Sequence, residues 1–133
     1  MANAIYPLYK QALLDGDANI DLNDSTVKVS LVDTGTYVYS TGHQFVTSLT
    51  GIVGTSQTIN ATTVTNGLFD GDNVTYTGVT GSSAEAIVIY IDTGTAGTSR
   101  LVAYIDTGVT GLPVTPNGGD ISITWNASGI FQL

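Results

Sequence analysis

Two apolar runs, set 14 residues apart, decide most of what this chain can fold into. The first reads Ile87-Val88-Ile89-Tyr90-Ile91 and ends in Asp92-Thr93-Gly94; the second reads Leu101-Val102-Ala103-Tyr104-Ile105 and ends in Asp106-Thr107-Gly108. Neither alternates with polar residues. A strand with one wet face alternates, so unbroken apolar runs bounded by turn residues describe strands covered on both faces. Thr93 to Ser99 is polar and carries Gly94 and Gly97, which makes it a connection between antiparallel neighbours. The stretch from Ala86 to Gly108 therefore predicts a central hairpin in a β-rich core.

The rest of the chain follows the same grammar. Val27, Val29 and Leu31 alternate with Lys28 and Ser30, the period of a half-buried strand, and Ile20 and Leu22 are expected to begin the sheet ahead of it. Asn66-Gly67 is a two-residue hairpin signal between Thr62–Thr65 and Leu68-Phe69. Ile121, Ile123 and Trp125 alternate with Ser122, Thr124 and Asn126, which puts Trp125 on the core side. Leu112 to Gly119, with Pro113 and Pro116, excludes both helix and central strand and reads as a loop. Helical signals are few. Pro7 suits a first helical position and Asp15-Gly16 a stop, giving a short helix from Pro7 to Leu14. About eight residues do not hold a helix in water, so Leu8, Tyr9, Ala12 and Leu13 must pack on something. Thr41-Gly42-His43-Gln44 has a reciprocal capping pattern leading into Phe45, Val46 and Leu49, a second helical excursion. The expected architecture is mainly β: an antiparallel β-sandwich, with a jelly roll among its forms, and one or two short helices. Residues 1–17 read as an N-terminal arm and 18–133 as the sandwich domain.

Composition excludes several classes of function. At 133 residues one domain is expected, and with no cysteine neither disulfides nor thiolate metal sites are available. Three basic residues against eleven acidic ones give a formal charge of −8, the wrong sign for nucleic acid or anionic lipid. No apolar run reaches the roughly 18 residues of a membrane span, and the N-terminus lacks the basic start and apolar stretch of a secretory signal. Synthesis in a cytoplasm is the expectation.

Chemistry is sparse. Asp-Thr-Gly occurs at Asp33, Asp92 and Asp106, and in aspartic proteases that triplet supplies one of two carboxylates sharing a proton. A chain this short would need to pair two subunits with one such aspartate each; three copies do not fit, and the residues after each glycine (Thr36-Tyr37, Thr95-Ala96, Val109-Thr110) depart from that family. Turns at strand ends account for all three. Asp15 to Asp24 spaces oxygens as calcium loops do, but Ile20 falls where glycine is needed and Thr26 where a bidentate glutamate is needed. His43 is expected to be exposed or to cap the helical excursion. No catalytic residue, metal site or cofactor is predicted. Tyr37, Tyr39, Tyr76 and Trp125 are the aromatic candidates for a glycan platform, with Tyr37 and Tyr39 sharing one face of a loop or edge segment.

Several segments are similar to a group of small tailed-bacteriophage virion proteins. Ala18-Asn19-Ile20-Asp21-Leu22 leading into Thr26–Val32 resembles their first strand, and His43-Gln44-Phe45 the short segment after it. Ala86–Tyr90 with Asp92-Thr93-Gly94, then Leu101–Asp106, resembles their central hairpin; Ile121–Asn126 with Gly129-Ile130 resembles their closing strands. The resemblance runs from about Ala18 to the C-terminus, and Ile91 stands where that pattern often has lysine. It implies a virion structural protein, with head decoration the chosen station: a cement protein on the outer surface of the phage head, partnered by the major capsid protein and homo-oligomeric on the lattice, with a trimer among the forms expected. Contact with capsid or subunits is assigned to Ile5, Tyr6, Leu8, Tyr9 and Leu13 of the arm, and to Pro113 and Pro116 of the loop. The alternative is a tail- or fibre-associated module that binds a host glycan.

Overall fold

The structure is a computed structural model and describes residues 3–133. Ten strands and one α-helix follow in order: β1 (Ala4–Ile5), α1 (Pro7–Asp15), β2 (Thr26–Val32), β3 (Ile52–Thr58), β4 (Thr63–Thr65), β5 (Leu68–Asp70), β6 (Val74–Tyr76), β7 (Ala86–Asp92), β8 (Leu101–Ile105), β9 (Ile121–Ile123) and β10 (Phe131–Gln132). The main sheet has the order β1-β8-β7-β2-β3; β10-β5-β4 and β6-β9 form two smaller sheets. All pairings are antiparallel. The chain is mainly β and sandwich-like, and nothing in the strand order singles out a jelly roll.

The two apolar runs are the neighbours β7 and β8, joined as a hairpin, and every residue from Ala86 to Ile91 and from Leu101 to Ile105 is buried. Both faces are covered, as unbroken apolar sequence requires. β2 is central too, flanked by β7 and β3, so its expected wet face is largely absent: Ser30 is fully buried. Its hydroxyl is satisfied by the hydroxyl of Ser56 on β3, which removes the main cost of placing a polar side chain there. The Asn66-Gly67 turn joins β4 and β5 with both residues at positive φ, 52° and 80°, the conformation that selects Asn-Gly. Ile121, Ile123 and Trp125 are buried on one face, and the indole N–H of Trp125 donates to the Asp72 carbonyl at 2.8 Å.

α1 begins at Pro7 and ends at Gly16, whose left-handed φ of 68° closes the last turn. Tyr9 and Ala12 are buried against the rest of the chain, with Leu8 and Leu13 half-buried and Leu14 exposed. The helix is held by its own domain, since Tyr9 also donates to the Ile20 carbonyl at 2.8 Å.

Two expectations need correction. Ile20 and Leu22 lie in no strand, and the main sheet, opened by β1 at Ala4, resumes only at Thr26: the Asp21 carboxylate accepts from the backbone N–H of Asn23 (2.7 Å) and of Asp24 (3.1 Å), a local turn that competes with strand pairing. The second helix is a single 3₁₀ turn, Val46–Ser48, without a side-chain cap. Ser40 closes a turn before it, and Gln44 to Val46 instead pair in extended form with Ser99 to Leu101, through Leu101 N–H to the Gln44 carbonyl (3.0 Å) and Val46 N–H to the Ser99 carbonyl (2.9 Å). Two long-range backbone bonds displaced the helical start.

Candidate functional site

The three Asp-Thr-Gly triplets are strand-end turns. Asp33 accepts from the Gly35 N–H at 2.8 Å and Asp92 from the Gly94 N–H at 3.0 Å. Asp106 is reached differently: Asn3 accepts from its N–H (2.7 Å) and from that of Thr107 (3.0 Å). Asp33 follows the end of β2 while Asp92 pairs with Thr26 at its start, so some seven residues, about 20 Å of strand, separate them. Asp33 and Asp106 share one end of the sheet, but β7 lies between their strands, a spacing of about 10 Å. They line different depressions. No two of these carboxylates meet within the chain. Asp92 is also paired with Lys28 at 3.0 Å. The Gly94 N–H and the lysine together hold its carboxyl below the usual carboxylate range, and the same pairing raises Lys28. Among the described residues no group of three or more His, Asp or Glu side chains is placed to hold a metal ion.

The aromatic candidates are mostly internal. Tyr76 and Trp125 are buried, and the Tyr76 hydroxyl donates to the Val29 carbonyl at 2.8 Å. Tyr37, a candidate for a glycan platform on a loop or edge segment, is also buried. The reason is its hydroxyl, which meets the Tyr6 hydroxyl at 2.6 Å and His43 Nδ1 at 2.9 Å. His43 is accordingly half-buried and tied to Tyr37 rather than serving as a helix cap. Tyr6 is fully buried and Tyr37 is its one side-chain partner among the described residues, so the arrangement that satisfies both hydroxyl protons has Tyr6 donating to Tyr37 and Tyr37 to a His43 tautomer unprotonated at Nδ1. Burial, then the bond to Tyr37, pushes the Tyr6 hydroxyl far above the ordinary tyrosine range; burial also raises Tyr37, Tyr39 and Tyr104.

Of the residues assigned to capsid or subunit contact, Tyr6 and Tyr9 are spent inside the chain. Ile5 is half-buried in β1, and the backbone N–H of Tyr6 continues that strand's pairing to the Val102 carbonyl at 2.9 Å. Leu8, Leu13 and Pro116 are half-buried and Pro113 is exposed. Leu13 contributes to an apolar groove of about 210 Å³ between α1 and the β10-β5-β4 sheet, with Val64, Phe131 and Leu133 on its other side.

One depression brings chemically capable side chains together, and antiparallel register explains it. Val32 pairs with Ala86 and Ile87 with Ile105, so the end of β2, the start of β7 and the end of β8 coincide. Thr34, Glu85, Tyr104 and Asp106 therefore converge, and the segment from Tyr37 to Tyr39 folds across them to enclose a cleft of about 330 Å³. Glu85 Oε1 accepts from both the N–H (2.9 Å) and hydroxyl (3.0 Å) of Thr34. The Tyr39 ring lies 5.5 Å from the Tyr104 ring and 5.0 Å from Tyr6. Sequence reasoning placed Tyr104 in the core and passed over Glu85. The available signal was that Glu85 is the only glutamate in the chain and stands directly before the longest apolar run.

No protein-family model matches the chain, and no curated protein matches it.

Proposed function

We propose that this protein is a non-enzymatic structural component of a tailed-phage particle, a decoration protein that binds the outside of the head shell. The observation that supports this best is where the resembling segments fall: Thr26–Val32, Ala86–Asp92 and Leu101–Ile105 are the three adjacent strands β2, β7 and β8 at the middle of the main sheet. Their polar termini are consumed in turns, leaving surfaces for attachment and no paired carboxylates for bond-making. A protein that binds only an assembled lattice adds its binding free energy to that lattice. Repetition over many sites turns modest contacts into avidity, and a charge of −8 suits an outer surface better than one facing DNA. With Tyr6 and Tyr9 internal, attachment falls to exposed and half-exposed groups such as Leu8, Leu13, Pro113 and Pro116.

The test is cosedimentation of the purified protein with emptied, expanded heads lacking it, followed by heating. Saturable binding and a higher temperature of shell rupture are expected. Binding to neither expanded nor unexpanded heads, together with saturable binding of a saccharide, would favour the tail-associated glycan module instead.

A further inference from the structure

We propose that the cleft between Glu85, Tyr39 and Tyr104 is a receptor for one cationic side chain, a lysine ammonium or an arginine guanidinium presented by a partner protein. The assignment stands on the cleft alone and not on head decoration.

Three features converge on it. Glu85 spends only Oε1 on Thr34, so Oε2 receives no hydrogen bond from the described residues. Tyr104 is 3% exposed, yet its hydroxyl has no hydrogen-bond partner among the described residues. It lines the cleft together with Asp106, Tyr37 and Glu85. A hydroxyl that reaches the cleft surface beside a carboxylate, with no partner among the described residues, is an acceptor open to a donor from outside. The half-exposed Tyr39 ring supplies an aromatic wall that attracts a cation through the negative face of the ring.

The lining also says what is not bound. Among the described residues it contains no Lys, Arg, Asn, Gln or Trp side chain, only Thr34, Val38, three tyrosines, the Glu85 carboxylate and Asp106, whose carboxylate is already engaged and does not count among the acceptors. A sugar needs donors as well as acceptors around its hydroxyls; a cation needs acceptors and ring faces, and these are what the cleft has. Two of the chain's three basic residues are occupied elsewhere, Lys28 with Asp92 and Arg100 with Asp17 at 3.7 Å and the Ala18 carbonyl at 2.8 Å. Lys10 is on the exposed side of α1.

The experiment titrates the intact protein with Nα-acetyl-lysine methylamide and Nα-acetyl-arginine methylamide, following amide and tyrosine-ring signals by NMR. Nα-acetyl-citrulline methylamide, putrescine and methyl glucoside are the comparison arms. Saturable shifts centred on Tyr39, Glu85 and Tyr104 are expected for the two cationic amides and not for citrulline or the glucoside. Glu85→Gln should weaken the interaction by about tenfold or more, and Tyr104→Phe by roughly threefold to tenfold, since a hydrogen bond to a charged group is worth more than a neutral one. Because Glu85 also holds Thr34, Tyr39→Ala is a second variant that leaves that turn intact; it should weaken binding by about twofold to fivefold. Putrescine binding more tightly than either amide would replace the partner side chain by a free polyamine and overturn the assignment to a protein. Equal binding of citrulline, preference for the glucoside, or no saturation by either cationic amide would overturn the cation site. Head cosedimentation in the absence of amine binding would overturn this inference while leaving decoration standing, and the reverse result would do the opposite.

Discussion

The Tyr6–Tyr37–His43 relay makes a quantitative prediction. Tyr6→Phe removes a donor at 2.6 Å but leaves Tyr37 still donating to His43, so it forfeits one net hydrogen bond, about 1 kcal/mol. Tyr37→Phe is worse. It strands the fully buried Tyr6 hydroxyl without an acceptor and takes the partner of His43 Nδ1, which adds the cost of an unsatisfied buried group for a total of about 2–3 kcal/mol. In the double variant Tyr6 no longer carries the stranded hydroxyl, so the loss should fall short of the sum by about 1 kcal/mol. The assay is equilibrium urea denaturation at neutral pH, far below any tyrosine titration, with the denaturant slope checked for constancy. A parallel thermal scan should show Tyr6→Phe lowering Tm by roughly 3–5 °C. Losses that add to within about 0.5 kcal/mol would show that the two hydroxyls are not coupled, and a Tyr37→Phe loss no larger than that of Tyr6→Phe would refute the direction of donation.

Alkaline pH should unfold the protein cooperatively. Tyr9 is pushed up to about 12, chiefly by burial, with Asp21 adding to it. A raised folded value means stability that is complete below pH 10 and lost as pH climbs through the folded value, here on the order of 2–3 kcal/mol between about pH 10 and 12. Tyr6 and Tyr76 act in the same direction, so absorbance at the tyrosinate band should rise together with loss of β circular dichroism; independent titration of all the tyrosines before unfolding would contradict their burial. Gly111 sits at φ 116°, where an added Cβ would collide with the Ser122 carbonyl oxygen, and Gly111→Ala should cost at least about 1–3 kcal/mol in denaturant melts; an unchanged midpoint would refute the close approach. Asp92→Asn should lower stability by no more than about 1 kcal/mol, because the Lys28 pair is partly exposed. The loss should shrink in high salt and also at low pH, since a depressed carboxylate contributes only above its unfolded value. A loss unaffected by salt would show that the ion pair is not its cause. Asp33→Asn, Asp92→Asn and Asp106→Asn are each expected to leave any peptide-cleavage assay at background; cleavage by the wild-type chain that one of them abolishes would overturn the non-enzymatic reading.

Periodicity exposed the backbone of the fold because it records environment directly. Unbroken apolar runs meant doubly covered strands, and β7 and β8 are that; Asn66-Gly67 meant a tight hairpin because few residues accept positive φ in succession. Local signals failed where a distant segment offered something stronger. The Thr41–Gln44 capping pattern lost to backbone pairing with Ser99–Leu101, and the polar face of β2 was covered because β3 brought Ser56 to Ser30. Tyr37 looked available for ligands because its segment has no strand pattern, yet the buried hydroxyl of Tyr6, 31 residues away, gave it a partner.

The order of side chains along the chain was enough to settle a cysteine-free, acidic, mainly β domain with a central hairpin and three aspartate-led turns, since each of those follows from neighbours within a few residues. What surrounds Glu85 was decided only in three dimensions. Antiparallel register brought the ends of β2 and β8 to the start of β7, and a loop with no periodicity closed over them; sequence separation says nothing about which strand ends coincide, so the cleft had no linear signature.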